Sequence, residues 1–220
     1  MVAQSAEATD LKSVQYGSTP IHPTTMYKTI NLSKKYPEST LAHKYLDGMQ
    51  GVEIGGSAHN PFGLNTINVD RYESMSTDYK EEEFNRCGEK LRVDIVSEGD
   101  DLPFNDKSFD FVISSHVLEH FYDPIKALKE WGRVATKYIF IIVPHKERTF
   151  DLNKPITTYE ELVARQTSPV CSEDFTEDTH HNIWDLPSFL AFLNGSGYDV
   201  VSYSDTDDKV GNGMMAVIKL

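Results

Sequence analysis

The chain has 220 residues, 39% of them hydrophobic, which suffices for one domain with a sizeable core, so residues 1–220 read as a single folding unit. A formal charge of −13 without a local basic patch argues against nucleic acid and anionic lipid as partners and for a small-molecule substrate. The two cysteines, Cys87 and Cys171, lie far apart with no C-x-x-C spacing, Met1 to Tyr16 lacks a signal-peptide pattern, and the longest apolar run, Tyr138 to Val143, is too short to span a bilayer; a cytoplasmic protein, monomeric or homodimeric, is expected.

Residues 1 to about 33 are rich in Ser, Thr, Pro and Gln without hydrophobic period and read as a loose arm. Leu41, Tyr45 and Leu46 recur at helical spacing, which predicts a helix between Leu32 and Leu46 with Ser33 as candidate cap; arm and helix together occupy 1–48. Strands then follow at Val52 to Gly55, Ile67 to Asp70, Leu91 to Val96 and Phe109 to Ser114, with a helix from Pro124 to Ala135 and a strand from Tyr138 to Val143. Such alternation predicts a parallel sheet. The first two strands are separated by about ten residues, near the minimum for a parallel crossover, which leaves a tight loop stiffened by Pro61 with at most one helical turn.

Residues 146–184 form a long irregular segment and read as an inserted substrate cover. Within it Thr157-Thr158-Tyr159-Glu160 resembles a capping box opening a short helix, and Asp178, His180, His181 and Trp184 are candidates to line an acceptor pocket. A helix at Leu186 to Leu193 ends at Gly195-Ser196-Gly197, and Tyr198 to Tyr203 and Met214 to Ile218 can pair as an antiparallel hairpin. The acidic clusters Glu81-Glu82-Glu83 and Asp205-Asp207-Asp208 read as solvated faces.

Gly51-Val52-Glu53-Ile54-Gly55-Gly56-Ser57 is a short strand ending in glycines, and Thr66-Ile67-Asn68-Val69-Asp70 is a second strand ending in an acid. Glycines admit close backbone approach, and an acid in that place can accept both hydroxyls of a ribose, which points to an adenosine-containing cofactor. Taken singly, the Gly-Gly pair is a turn and Asp70 a loop cap. The chain continues through Glu98-Gly99-Asp100-Asp101-Leu102-Pro103-Phe104, then Ser108-Phe109-Asp110, and finally Ser115-His116-Val117-Leu118-Glu119-His120.

In this order the glycine loop, the acid, the Asp-Leu-Pro-Phe segment, the Ser-Phe-Asp strand and the Leu-Glu-His ending resemble the class I S-adenosylmethionine-dependent methyltransferases, over roughly residues 50–145. The resemblance implies an α/β fold, a Rossmann-like, doubly wound and mostly parallel seven-stranded sheet with a C-terminal antiparallel hairpin and a short first crossover. It implies that S-adenosylmethionine, with S-adenosylhomocysteine as product, lies across the carboxyl ends of the first strands. By motif, Glu53, Gly55, Gly56 and Ser57 would meet its methionine part. Asp70 would hold the ribose, with Arg71 beside the adenine. Glu98, Gly99 and Leu102 would complete the adenine pocket, and Ser115 and His116 would face the sulfonium. This reading assigns no metal.

The sequence departs from the usual glycine pattern, reading Gly55-Gly56-Ser57-Ala58-His59-Asn60-Pro61-Phe62-Gly63. The short loop weakens any helix-dipole argument, yet a sulfonium flanked by Glu53 needs none, whereas the pyrophosphate of a dinucleotide does. A nicotinamide dehydrogenase is therefore disfavoured, its G-x-G-x-x-G fingerprint being absent.

Methyl transfer is a direct displacement that needs alignment and, for a protonated nucleophile, a base. His116, directly after the fourth strand, is the first candidate, followed by His120 and His145. Two alternatives remain beside a methyltransferase acting on an oxygen or nitrogen of a small polar acceptor, a sugar or secondary metabolite. One is a cofactor-binding protein without catalysis. The other is a zinc metallohydrolase, since His116, Glu119 and His120 match H-x-x-E-H, although Asp123-Pro124 leaves little room for the helix that pattern requires.

Overall fold

The computed structural model describes residues 39–56, 61–167 and 179–220. The predicted arm, the start of the predicted helix with Ser33, and the loop residues Ser57 to Asn60 lie outside them.

Unbroken apolar runs make the centre of the molecule. The strands β1 (Gly51–Ile54), β2 (Thr66–Asp70), β3 (Ile95–Val96), β4 (Phe109–Ser115) and β5 (Ala135–Pro144) are parallel neighbours. All of β1 is buried, as expected where helices cover both faces of a sheet. Successive side chains alternate between two cores. Val112, Ile139 and Ile141 join one apolar cluster, while Phe111, Ile113, Phe140 and Ile142 join the other.

The sheet is completed by β6 (Asp199–Ser204) and β7 (Gly213–Lys219), giving seven strands in the order β3-β2-β1-β4-β5-β7-β6. β7 runs antiparallel to both β5 and β6, and for β6 the short 205–212 connection permits only an antiparallel return. The expected strand over Leu91 to Val96 shrinks to two residues. Asp94 explains this: its carboxylate accepts the Asn68 N–H at 2.9 Å, taking a ladder bond that a neighbouring carbonyl would otherwise receive.

Five helices flank this sheet among the described residues: α1 (Thr40–Leu46), α2 (Asp78–Cys87), α3 (Pro124–Val134), α4 (Tyr159–Arg165) and α5 (Leu186–Gly195). Ser39 caps α1, its hydroxyl accepting the Ala42 N–H at 3.0 Å. α4 has a reciprocal capping box between Thr158 and Glu161. Asp123 caps α3, whose Ile125, Leu128, Trp131 and Val134 are buried at helical spacing. No helix among the described residues is long and apolar enough to cross a membrane.

α2 was not anticipated, although its signals are local: a Thr77 cap, acids in the first turn and a terminal Gly88 at φ +77°. It corrects the reading of Glu81-Glu82-Glu83 as a wholly solvated face, because Glu83 is buried and pairs with Lys80 at 2.6 Å. Asp207 corrects the other acidic cluster. It is buried and accepts the N–H groups of Lys209, Val210, Gly211 and Gly213, organising the turn between β6 and β7.

Candidate active site

A cleft of about 480 Å³ opens at the carboxyl ends of β1, β2, β3 and β4, where ligands bind in open α/β sheets. It is lined by Glu53, Gly55, Gly56, Asp70, Arg71, Glu98, Gly99, Ser115, His116 and His120, so residues from four separate stretches of sequence share one space. Ser57 lies outside the described residues. Tyr72, Tyr79, Lys80, Phe121, Tyr122 and Lys209 also line the cleft and were not anticipated.

The glycines of this floor have no room for side chains. Gly55 sits at φ +68°, and a Cβ there would lie 2.4 Å from Val117. At Gly56 a Cβ would lie 2.3 Å from the Glu53 carboxyl group. That carboxylate is 1% exposed and receives the Thr66 hydroxyl at 3.3 Å. Gly99 is equally confined, with Ile54 and Phe121 within 2.9 Å of a built Cβ, and its carbonyl accepts the Trp131 indole N–H at 2.8 Å. α3 thereby anchors the loop after β3.

On the opposite wall, Asp70 accepts the Tyr72 N–H at 2.9 Å through one oxygen, and burial pushes its carboxyl pKa above the ordinary value. Arg71 stands 3.8 Å from Glu98 and over the Tyr72 ring, which stacks on Tyr79 with centroids 6.1 Å apart. Flat apolar surface beside an acid suits a nucleoside.

Two predicted site residues lie elsewhere. Leu102 is 4% exposed in the core and does not line the cleft; its N–H donates to Glu130 at 2.7 Å and its carbonyl accepts from Arg133 at 3.1 Å. The Asp-Leu-Pro-Phe segment is thus clamped to α3 by a helical ion pair. His145 is also buried away from the cleft, capping the turn Lys146–Arg148 by accepting the Glu147 N–H at 3.1 Å. Trp184, a candidate for the acceptor pocket, is 1% exposed and stacks on Phe192 in the core. Asp178 lies outside the described residues.

His116 adopts φ +57°, a left-handed conformation uncommon for a side chain other than glycine. Burial, aided by the positive charge of Lys209, lowers its pKa to about 4, so the imidazole is neutral at physiological pH. Its Nε2 is buried without a hydrogen-bond partner among the described residues. Ser115 accepts a hydrogen bond from Lys209 at 3.2 Å, which the Asp207 turn delivers from the far end of the sheet.

Glu119 is 1% exposed, and burial raises its pKa to about 8. The H-x-x-E-H stretch folds as a single 3-10 turn, Leu118–His120, so the metallohydrolase helix is not formed. The turn instead receives the late segment: His181 and Asn182 both donate N–H groups to the Glu119 carbonyl, at 2.9 and 3.1 Å. His180 is carried against His120, ring centroids 4.8 Å apart, and His181 against Tyr122 at 6.0 Å.

Residues 55–141 match the family model described as a methyltransferase domain. An uncharacterized protein of Methanocaldococcus jannaschii is 34% identical over 116 residues, covering 51% of this chain and 50% of that protein. The chain thus spans about half the length of the curated relative it matches. Among solved structures, the PH0226 protein of Pyrococcus horikoshii shares the fold, with a TM-score of 0.51 and 19% identity over 81% of this chain and 86% of that one. A SAM-dependent methyltransferase of Aquifex aeolicus superposes with a TM-score of 0.47 and 19% identity, covering 83% of this chain and 94% of that one.

Proposed function

We propose that the protein is a class I methyltransferase that transfers a methyl group from S-adenosylmethionine to an oxygen or nitrogen of a small polar acceptor, a sugar or secondary metabolite, a reading supported by the match of residues 55–141 to the model of a methyltransferase domain. The observation that supports it best is the convergence, in one cleft, of the Gly55-Gly56 floor against buried Glu53, the Asp70 acid, and Ser115 with His116 at the end of β4. The residues fit the cofactor: Gly56 leaves backbone surface where a Cβ would strike the Glu53 carboxyl at 2.3 Å.

In this reading Glu53 and the two glycines take the methionine portion, Asp70 the ribose hydroxyls, and Arg71, Glu98, Gly99 and the Tyr72–Tyr79 stack the adenine. S-adenosylmethionine, when bound, supplies an electrophilic methyl on a sulfonium. The chain's own task is to orient the acceptor, exclude water and take up a proton. His116 serves as that base by its position in the cleft at the end of β4, with a neutral ring whose basicity burial reduces. His120 shares the cleft with it, whereas His145, remote from the cleft, takes no part. The acidic chain favours a small molecule over nucleic acid as acceptor.

The test is calorimetric titration with S-adenosylhomocysteine and, in parallel, NAD, with Asp70→Ala as control. Micromolar binding of the first, lost in the variant, supports the assignment; binding of NAD alone, or of neither, overturns it. Binding without turnover of any sugar or small polar alcohol or amine favours a non-catalytic cofactor-binding protein.

A further inference from the structure

Three side chains beyond the cofactor floor are arranged for a task that methyl transfer does not require. Asn182 holds the late segment against the turn after β4, donating to the carbonyls of Leu118 at 3.3 Å and Phe121 at 2.6 Å. That docking sets His180 against His120, ring centroids 4.8 Å apart, and near Glu119.

Each imidazole is tied from behind. His180 Nδ1 lies 2.6 Å from Asp151 Oδ2, and Asp151 is itself 2% exposed and paired with Lys154 at 2.7 Å. His120 Nδ1 lies 3.2 Å from the Thr179 carbonyl. Carboxylate and carbonyl can only accept, so in its neutral form each ring has its proton on Nδ1 and its lone pair on Nε2. An imidazole oriented by a carboxylate or a carbonyl in this way is the usual support of a metal-binding histidine.

Beside the rings stands the Glu119 carboxyl group, 1% exposed, with Oε1 3.7 Å from His120 Nε2 and neither oxygen hydrogen-bonded to any described residue. An unsatisfied buried carboxyl group is costly unless something binds it. Ligand atoms of Glu119, His120 and His180 all lie within 4.8 Å of one another, so a closure of about 1 Å would bring them to the spacing of a coordination shell.

We propose that Glu119, His120 and His180 form a divalent transition-metal site of the zinc type beside the cofactor cleft, with Asp151 and Thr179 orienting its two histidines. Two imidazole nitrogens with one carboxylate favour zinc, cobalt or manganese over magnesium, which prefers oxygen. Three protein ligands leave a coordination position open, and His120 lines the cleft, so that position faces the acceptor. The site takes an oxygen acceptor, whose hydroxyl would give up its proton to His116 more readily when bound to the cation. This role rests on the methyltransferase reading; the metal site does not.

The full chain, stripped with a chelator, is titrated with cobalt(II) alone while its visible absorption is recorded, followed by displacement with zinc(II). One equivalent bound, displaced by zinc, is expected. His180→Ala and Glu119→Gln should each weaken binding at least about tenfold, and Asp151→Asn about 10–100-fold, with circular dichroism and S-adenosylhomocysteine binding unchanged. No cobalt bound by the wild-type chain, or equal binding by His180→Ala, overturns the site. The titration needs neither cofactor nor acceptor, so loss of S-adenosylhomocysteine binding with cobalt binding intact overturns the methyltransferase reading alone.

Discussion

The Asn182 carboxamide donates to the Phe121 carbonyl at 2.6 Å and accepts from Arg165 at 2.8 Å, fastening the segment after α4 to the turn that follows β4. Asn182 is 2% exposed, so removing its side chain takes a buried partner from the Phe121 carbonyl and from one Arg165 N–H. Asn182→Ala should lower unfolding free energy by about 1–3 kcal/mol, read from urea denaturation. An unchanged midpoint would mean that the segment is held by other contacts.

Gly56→Ala tests the cofactor floor through the packing between Gly56 and Glu53. The added methyl would meet the Glu53 carboxyl at 2.3 Å and displace it. S-adenosylhomocysteine affinity should fall by about 1–3 kcal/mol, the usual cost of overpacking. Asp70→Ala should cost about 1.5–3 kcal/mol of the same binding energy, as expected for hydrogen bonds to a charged group. Wild-type affinity in both variants would move the cofactor elsewhere.

His116 separates strain from chemistry. Its φ of +57° costs a side chain about 1–2 kcal/mol that glycine escapes, so His116→Gly should melt no lower than His116→Ala. Both should bind S-adenosylhomocysteine normally and turn over about 10²–10⁴-fold more slowly. Normal turnover in the glycine variant would assign the proton to another group.

Asp207 predicts a pH dependence. Burial opposes its ionisation, but the N–H groups of Val210, Gly211, Gly213 and Lys209 prevail and hold its pKa below the ordinary 3.8. A carboxyl depressed in the folded state contributes stability that is present above the unfolded pKa and lost as pH falls through the folded one. Asp207→Asn should therefore be less stable by about 1.5–3 kcal/mol at neutral pH and lose less stability on acidification below about pH 4. Parallel acid-unfolding curves for the two proteins would exclude this role.

What the sequence by itself determined is local. The apolar runs of β1, β4 and β5, the Gly55-Gly56 pair that ends β1, the capping box at Thr158 and the Asp at the end of β2 each depend on residues a few positions apart. Their order along the chain was enough to place the cleft at the carboxyl ends of the strands. α2 was equally local in its signals, but its acidic face lacks the apolar stripe that announces a packed helix.

Only the tertiary structure decided which distant segments share a space. It set β7 between β5 and β6, drew Leu102 into the core through Glu130 and Arg133, and turned His145 into a cap. It delivered Lys209 to Ser115 and His180 to His120. Backbone propensity and turn chemistry act within a few residues, whereas burial and pairing depend on surfaces that meet only once the sheet has closed.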